Sequence, residues 1–179
     1  MDAVMSEHPA YHHIARLYDI LDLPFEHGRY RPLRPTLYAG ASGRILDAGI
    51  GTGRNMPFYP ADSDVIGIGL SAAMLKRAAM RRAKRSSPMQ TDVALARMDV
   101  CATAFADASF DLIAATFLFC VLDHDQQLPA LRELGRILRP DGEIRILEYA
   151  YSRAPLRRWI MGLWAPWVRW AYGAAFDRD

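Results

Sequence analysis

The chain holds only two cysteines, Cys101 and Cys120, far apart and each in apolar surroundings. That excludes a disulfide framework and a cysteine-based metal cluster, and it fits buried thiols in a reducing cytoplasm; no metal site is expected. Net charge is nearly absent too. A value of +2 over 179 residues is too small to argue for a nucleic-acid partner. No apolar run is long and unbroken: residues 155–176 are interrupted by Arg157, Arg158, Pro166 and Arg169, which argues against a membrane span. The first ten residues are polar and include Glu7, His8 and Pro9, so no signal peptide is expected. Internal repeats and low-complexity segments are also missing. What is present is 51% hydrophobic content, ample for the core of one domain spanning residues 1–179, soluble or peripheral to a membrane.

Strand-like and helix-like segments alternate after residue 43, the pattern of an α/β, doubly wound, mostly parallel sheet with helices on both faces. Strands are expected at residues 44–48, 64–68, 93–98, 110–116 and 143–148, with a short helix near Asn55. Ser71 should cap a helix running to about Arg85, broken by Ser86-Ser87-Pro88. Asp125 can cap a second helix carrying Leu128, Leu131, Leu134, Ile137 and Leu138, an apolar stripe at helical spacing. Arg139-Pro140-Asp141-Gly142 reads as a turn. This divides the chain into a helical lead-in (1–43, with helices at 11–23 and near Pro35), an α/β core (44–150) and a Trp/Arg-rich segment (151–179).

The most informative stretch is Arg44-Ile45-Leu46-Asp47-Ala48-Gly49-Ile50-Gly51-Thr52-Gly53-Arg54-Asn55. A short apolar strand ends in an acid, and glycines follow at every second position. Glycines let a backbone turn tightly and come within contact distance of a ligand. The dinucleotide spacing G-x-G-x-x-G fits neither frame, since Arg54 or Met56 stands where the third glycine belongs. An acid before the loop also suits a ligand bearing an ammonium or sulfonium better than a pyrophosphate. The stretch resembles the D-x-G-x-G-x-G motif of class I S-adenosylmethionine-dependent methyltransferases.

The resemblance extends over roughly residues 11–150, to the type that includes ubiquinone/menaquinone-biosynthesis and phospholipid methyltransferases. Val65-Ile66-Gly67-Ile68-Gly69-Leu70-Ser71-Ala72-Ala73-Met74-Leu75 is similar to V-x-G-x-D-x-S-x-x-M-L, with Gly69 where the family places the acid that grips the ribose diol. Losing that paired contact should weaken binding by about 1.5–3 kcal/mol. Met98-Asp99-Val100 resembles the position that holds adenine. Ala106-Asp107-Ala108-Ser109-Phe110-Asp111 resembles D-x-S-F-D, and the segment after it from Phe117 to Val121 falls where the family floors its pocket. Residues 131–142 closely follow L-x-E-x-x-R-V-L-K-P-G-G, and residues 11–19 resemble the Y-x-x-I-A-x-x-Y-D lid helix. The resemblance implies S-adenosylmethionine as cofactor, with Asp47 orienting its ammonium and Gly49, Gly51 and Gly53 allowing close approach. Asn55, Gly69, Leu70, Met74, Asp99, Val100 and Phe117 complete the implied cofactor site. Tyr18, with Tyr11 second, is the candidate aromatic beside the transferred methyl.

Blander readings stand beside several of these. His124, between Asp123 and Asp125, is either a base for an amine acceptor or an ordinary loop histidine beside a helix cap. A helix would point the adjacent His12 and His13 in different directions, which favours surface or packing roles. Lys76, Arg77, Arg81, Arg82, Lys84 and Arg85 read as a solvated helix face. The tail, with Trp159, Trp164, Trp167 and Trp170 among arginines, suits either a bilayer interface or burial, against the sheet or as a substrate-pocket wall. The family has seven strands, and no sixth or seventh is visible here. Strand five is then a sheet edge: either the tail covers it, or a second copy in a homodimer does, or the protein is a truncated form.

The first expectation is an enzyme, cytoplasmic or at the inner face of the membrane. It would move a methyl group to a lipophilic or amphipathic small molecule, a phospholipid amine before a quinone-like ring. The alternative is a weakened or inactive methyltransferase-like binding protein. An NAD-linked oxidoreductase is disfavoured by the glycine spacing and by the missing acid at the end of strand two.

Overall fold

The computed structural model describes residues 30–84, 91–148, 159 and 162–163. Five strands form one parallel sheet: β1 (Gly43–Ala48), β2 (Ser63–Gly69), β3 (Val93–Arg97), β4 (Phe110–Thr116) and β5 (Leu138–Leu147), in the order β3-β2-β1-β4-β5. Two helices complete the described core, α1 (Ala72–Ala83) and α2 (His124–Ile137), with 3-10 turns at Arg34–Tyr38 and Met56–Phe58. This is the α/β doubly wound architecture expected from the alternating pattern.

The central strands are buried on both faces, as parallel strands covered by helices must be. Ile45, Val65, Val93 and Leu112 pack on one side with Ala78 of α1 and with Leu37, Tyr38 and Tyr59. Leu46, Ile68, Phe110 and Ile113 pack on the other with Ala130, Leu134 and Ile137 of α2. Alternation along β1 therefore sends Asp47 to the same face as Ile45, among aromatic rings.

Both helices start where local chemistry dictates. The Ser71 hydroxyl accepts the Met74 N–H at 3.4 Å and caps α1. For α2 the cap is Asp123, not Asp125. Asp123 and Gln126 form a capping box, in which the Gln126 side-chain oxygen accepts the Asp123 N–H at 3.2 Å. Asp125 instead sits in the first turn, where a carboxylate favours the positive end of the helix. The expected apolar stripe on α2 is also only half right. Leu134 and Ile137 are fully buried, but Leu128 is 53% and Leu131 42% exposed, and the small Ala130 takes the inward position.

The turn expected at residues 139–142 is absorbed into β5. Phe110 pairs with Leu138, then Leu112 pairs with Glu143, so several residues of β5 bulge opposite Asp111. Asp111 bridges the strands on either side of β4. Its carboxylate accepts the Arg44 N–H at 2.7 Å and the Arg139 guanidinium, which hold it below the usual carboxylate range. The L-x-E-x-x-R stretch is a clamp: Glu133 accepts the Thr103 N–H at 2.9 Å and Arg136 Nη2 at 2.6 Å, while Arg136 also donates to the Phe105 carbonyl at 2.9 Å. With these partners, the Arg136 bond foremost, the Glu133 carboxyl falls to about 2.

The division of α2 into buried and exposed leucines gives a direct test. Leu134→Ala should lower unfolding free energy by about 2–5 kcal/mol, whereas Leu131→Ala should change it by no more than about 0.5 kcal/mol. Urea denaturation of both variants would check this, and equal losses would refute the assigned inward face.

Candidate cofactor site

In an open parallel sheet, ligands bind beyond the carboxyl ends of the strands where the order reverses. Here the reversal lies between β1 and β4, and the glycine loop leaves β1 at that point. Gly49, Gly51 and Gly53 have φ of 75°, 54° and 80°, a region that side chains rarely tolerate. Packing adds a second reason at two of them. A Cβ on Gly49 would lie 2.9 Å from Leu118 Cδ1, and one on Gly53 would lie 2.6 Å from Met56 Cε. At Gly51 the nearest neighbour of such a Cβ is the Gly49 carbonyl at 3.9 Å. Among the described residues, packing leaves this position of the loop free.

Ile50 ties the loop to β2: its N–H donates to the Ile68 carbonyl at 2.8 Å. Its side chain covers Gly67, where a Cβ would come within 2.2 Å of Ile50 Cδ1.

Beneath the loop lies a buried polar cluster. Asp47 is fully buried. Tyr59 donates its hydroxyl to Asp47 Oδ2 at 2.5 Å, and the Asn55 amide donates to both carboxylate oxygens at 3.2 and 3.1 Å. The same amide lies 3.0 Å from Thr116 Oγ1, and Asn55 Oδ1 accepts from Arg34 Nη1 at 2.6 Å. Burial raises the Asp47 carboxyl to about 6, against the hydrogen bonds from Tyr59 and Asn55 and the positive charge of Arg34. Tyr38 stands near the same groups. Its phenol is pushed well above the usual range by burial first and by Asp47 second, and its hydroxyl has no hydrogen-bond partner of good geometry among the described residues.

Phe117, just past β4, has φ of 52°, a strained setting of the kind found at functional sites and worth about 1–3 kcal/mol. Its N–H donates to the Leu147 carbonyl at 2.9 Å. Its ring meets Tyr30 edge-on with centroids 5.0 Å apart, and the Arg34 guanidinium lies 5.7 Å from its centre.

The remaining sequence candidates fall into three groups. Gly69 and Leu70 end β2, Met74 lies in the first turn of α1, and the Met98 N–H donates to the Gly69 carbonyl at 3.2 Å. That bond sets Asp99 and the buried Val100 beside the β2 terminus; Asp99 Oδ1 accepts the Cys101 N–H at 2.9 Å. Together with Asp47, Asn55, the loop glycines and Phe117, these residues line the carboxyl ends of neighbouring strands. His124 is exposed at the start of α2. Tyr11, His12, His13 and Tyr18 lie outside the described residues. Arg34, Tyr38, Tyr59 and Thr116 escaped the sequence reading; each reaches the Asp47 cluster only through the fold, and the one local hint is a tyrosine shortly after the glycine loop.

The sequence profile described as a methyltransferase domain matches residues 45–142, which span β1 to the start of β5. The chain belongs to the methyltransferase domain family. It is of the class I, S-adenosylmethionine-dependent kind. It is 33% identical over 115 residues to a phosphatidylethanolamine N-methyltransferase of Cereibacter sphaeroides, covering 64% of this chain and 55% of that one. It is 31% identical over 157 residues to the ubiquinone/menaquinone biosynthesis C-methyltransferase UbiE of Syntrophotalea carbinolica, covering 83% and 63%. The chain thus spans between half and two thirds of the length of these relatives. Among solved structures, a putative S-adenosyl-L-methionine-dependent methyltransferase from Methanococcus maripaludis matches with a TM-score of 0.66 at 18% identity, over 95% of this chain and 77% of that one. That likeness speaks for the fold alone.

The residues fit S-adenosylmethionine at the glycine loop, where the backbone at Gly51 is open and a buried acid lies below. They depart from it at Gly69, where no acid is present for the ribose.

The raised Asp47 pKa has a measurable consequence. The folded chain keeps a proton that the unfolded chain, with an ordinary value near 3.8, has released. The resulting stability is present below about pH 4 and lost as pH rises through about 6. Relative to Asp47→Asn, which keeps the shape without the charge, the wild-type chain should therefore lose on the order of 2–3 kcal/mol between pH 4 and 7. Urea unfolding across that range measures the difference, and parallel stability curves would contradict the assignment.

Proposed function

We propose that this chain transfers the methyl group of S-adenosylmethionine to a lipophilic or amphipathic acceptor, a phospholipid amine before a quinone-like ring. The observation that carries this reading is the glycine loop, held in left-handed backbone over the buried Asp47 at the switch point of the sheet. When bound, S-adenosylmethionine supplies a methyl already activated by its sulfonium, so alignment and exclusion of water are the protein's main tasks. Asp47 is enclosed by Tyr59 and Asn55. Its part is to set a negative potential under the loop and to orient Asn55, rather than to hold the ammonium as an exposed carboxylate. Gly49, Gly51 and Gly53 give access to backbone, Asp99 accepts from the adenine amine beside Val100, and Leu70 and Met74 border the nucleoside. Phe117 floors the pocket. Tyr18 serves as the lid aromatic, and His124 is the candidate base for an amine acceptor that must lose a proton.

The acceptor class is supported by the relatives, one named for phosphatidylethanolamine and another for quinone biosynthesis. Trp159 and Leu163, four residues apart, are 64% and 62% exposed, the presentation expected of residues that meet a bilayer interface. No described helix is long and apolar enough to cross a membrane. We place the protein in the cytoplasm, at the inner face of the membrane when it meets its acceptor, with β5 as the edge available for a homodimer. Gly69 favours a second reading, a methyltransferase-like binding protein with little or no turnover.

Calorimetric titration with S-adenosylmethionine and S-adenosylhomocysteine should give micromolar binding, followed by methyl transfer to phosphatidylethanolamine vesicles. No heat at millimolar ligand would hand the case to the binding-protein reading. Binding without transfer to either vesicles or a quinone would leave the cofactor and remove the acceptor class.

A further inference from the structure

The turn that follows β4 is held from the neighbouring strand. It runs from Phe117 to Asp123, where α2 is capped. The Phe117 N–H donates to the Leu147 carbonyl at 2.9 Å, which carries the β4–β5 pairing one step past Thr116. A side chain makes the next contact: the carboxylate of Glu148, half-buried just after β5, accepts the Cys120 N–H at 3.1 Å. The Cys120 thiol is itself buried and donates to the Phe117 carbonyl at 3.4 Å. Both backbone groups of Phe117 are therefore engaged, and Glu148 holds the residue that engages the second of them. Phe117 needs such support, because a φ of 52° persists at a residue with a side chain only where its surroundings impose it.

The same turn touches the glycine loop. Leu118 is buried and lies over Gly49, where an added Cβ would come within 2.9 Å of Leu118 Cδ1. A chain of contacts thus runs from Glu148 at the end of β5, through Cys120 and Phe117, to Leu118 and the first glycine after β1. A carboxylate bound to a backbone N–H is among the stronger hydrogen bonds, strong enough to fix a short turn. We propose that Glu148 is a positioning residue of the cofactor site: by holding Cys120 it fixes the backbone of Phe117 and seats Leu118 against Gly49. It acts through the turn, without touching the cofactor. This rests on the reading of the glycine loop and Phe117 as the cofactor site.

The test combines calorimetric titration of the full chain with S-adenosylhomocysteine and alkylation of Cys120 by iodoacetamide, followed by peptide mass spectrometry. Glu148→Ala removes the acceptor, whereas Glu148→Gln keeps an oxygen for the Cys120 N–H without the charge. Glu148→Ala should weaken binding and speed alkylation by about tenfold each. Glu148→Gln should keep both within about threefold of the unchanged chain. Leu118→Ala should also weaken binding, and adding it to Glu148→Ala should cost less than the two separate factors multiplied, since both act along one path. If Glu148→Ala does not fold, Glu148→Met fills the space without a carboxylate acceptor and should give the same results. Binding or alkylation unchanged by loss of the acceptor, no rescue by Glu148→Gln, or factors that multiply would overturn the proposal. If the unchanged chain binds no S-adenosylhomocysteine, the reading of the site fails and the proposal with it. If it binds, and Glu148→Ala binds equally well, the proposal alone fails.

Discussion

The site depends on one buried carboxylate. Asp47 is fully buried on a central strand, so the groups around it must hydrogen-bond to it or counter its charge. Asn55 does most of this. Its amide reaches Asp47 and Thr116, and its carbonyl takes the Arg34 guanidinium. One side chain thereby joins β1, the end of β4, the residues after the glycine loop and the segment before β1. The loop is shaped by its glycines, but it is kept in place by what lies underneath. A half-satisfied version of this cluster would be worse than an apolar one, so its members stand or fall together.

The glycines of the site are of two kinds. Gly49 and Gly53 are required twice over, by left-handed backbone and by neighbours packed against them, and Gly67 is required because Ile50 lies across it. These are consequences of the fold. Gly51 is needed for its backbone angle but faces open space, and Gly69 is needed for neither reason. The two positions that packing leaves unexplained are those nearest to where a ligand is expected.

The sheet was legible in the sequence because its signals are local. Continuous apolar runs in β1, β2 and β4 can satisfy only strands buried on both faces, and Ser71 marks a helix start by its own hydroxyl. The errors came where two local rules competed. Asp123 and Asp125 are both acceptable caps, and only the reach of Gln126 decides between them. Pro140-Asp141-Gly142 has turn chemistry, yet the pairing of Leu138 and Glu143 with β4 on either side carries it within the strand. On α2 the helical spacing holds, but Leu128 and Leu131 face outward and Ala130 takes the inward position. The motif half of the site could be read from spacing. The Arg34, Tyr38, Tyr59 and Thr116 half could not, since those partners are brought together only by the folded chain.

The strand order also bears on how this domain is made. β1 is the first described strand and the middle of the described sheet, with β2 on one side and β4 on the other. During synthesis its first partner emerges within about twenty residues, but its second arrives only with residue 110. For that interval one edge of an apolar strand is unpaired, and long-range parallel pairing of this kind is slow. Asn55 meets Thr116 only when β4 docks. Until then the cluster around Asp47 is incomplete, and the nascent domain holds the glycine sequence without the buried polar network beneath it. Ligand-binding competence should therefore be among the last properties acquired, and the exposed edge of β1 is where a chaperone or a misfolding partner would engage first.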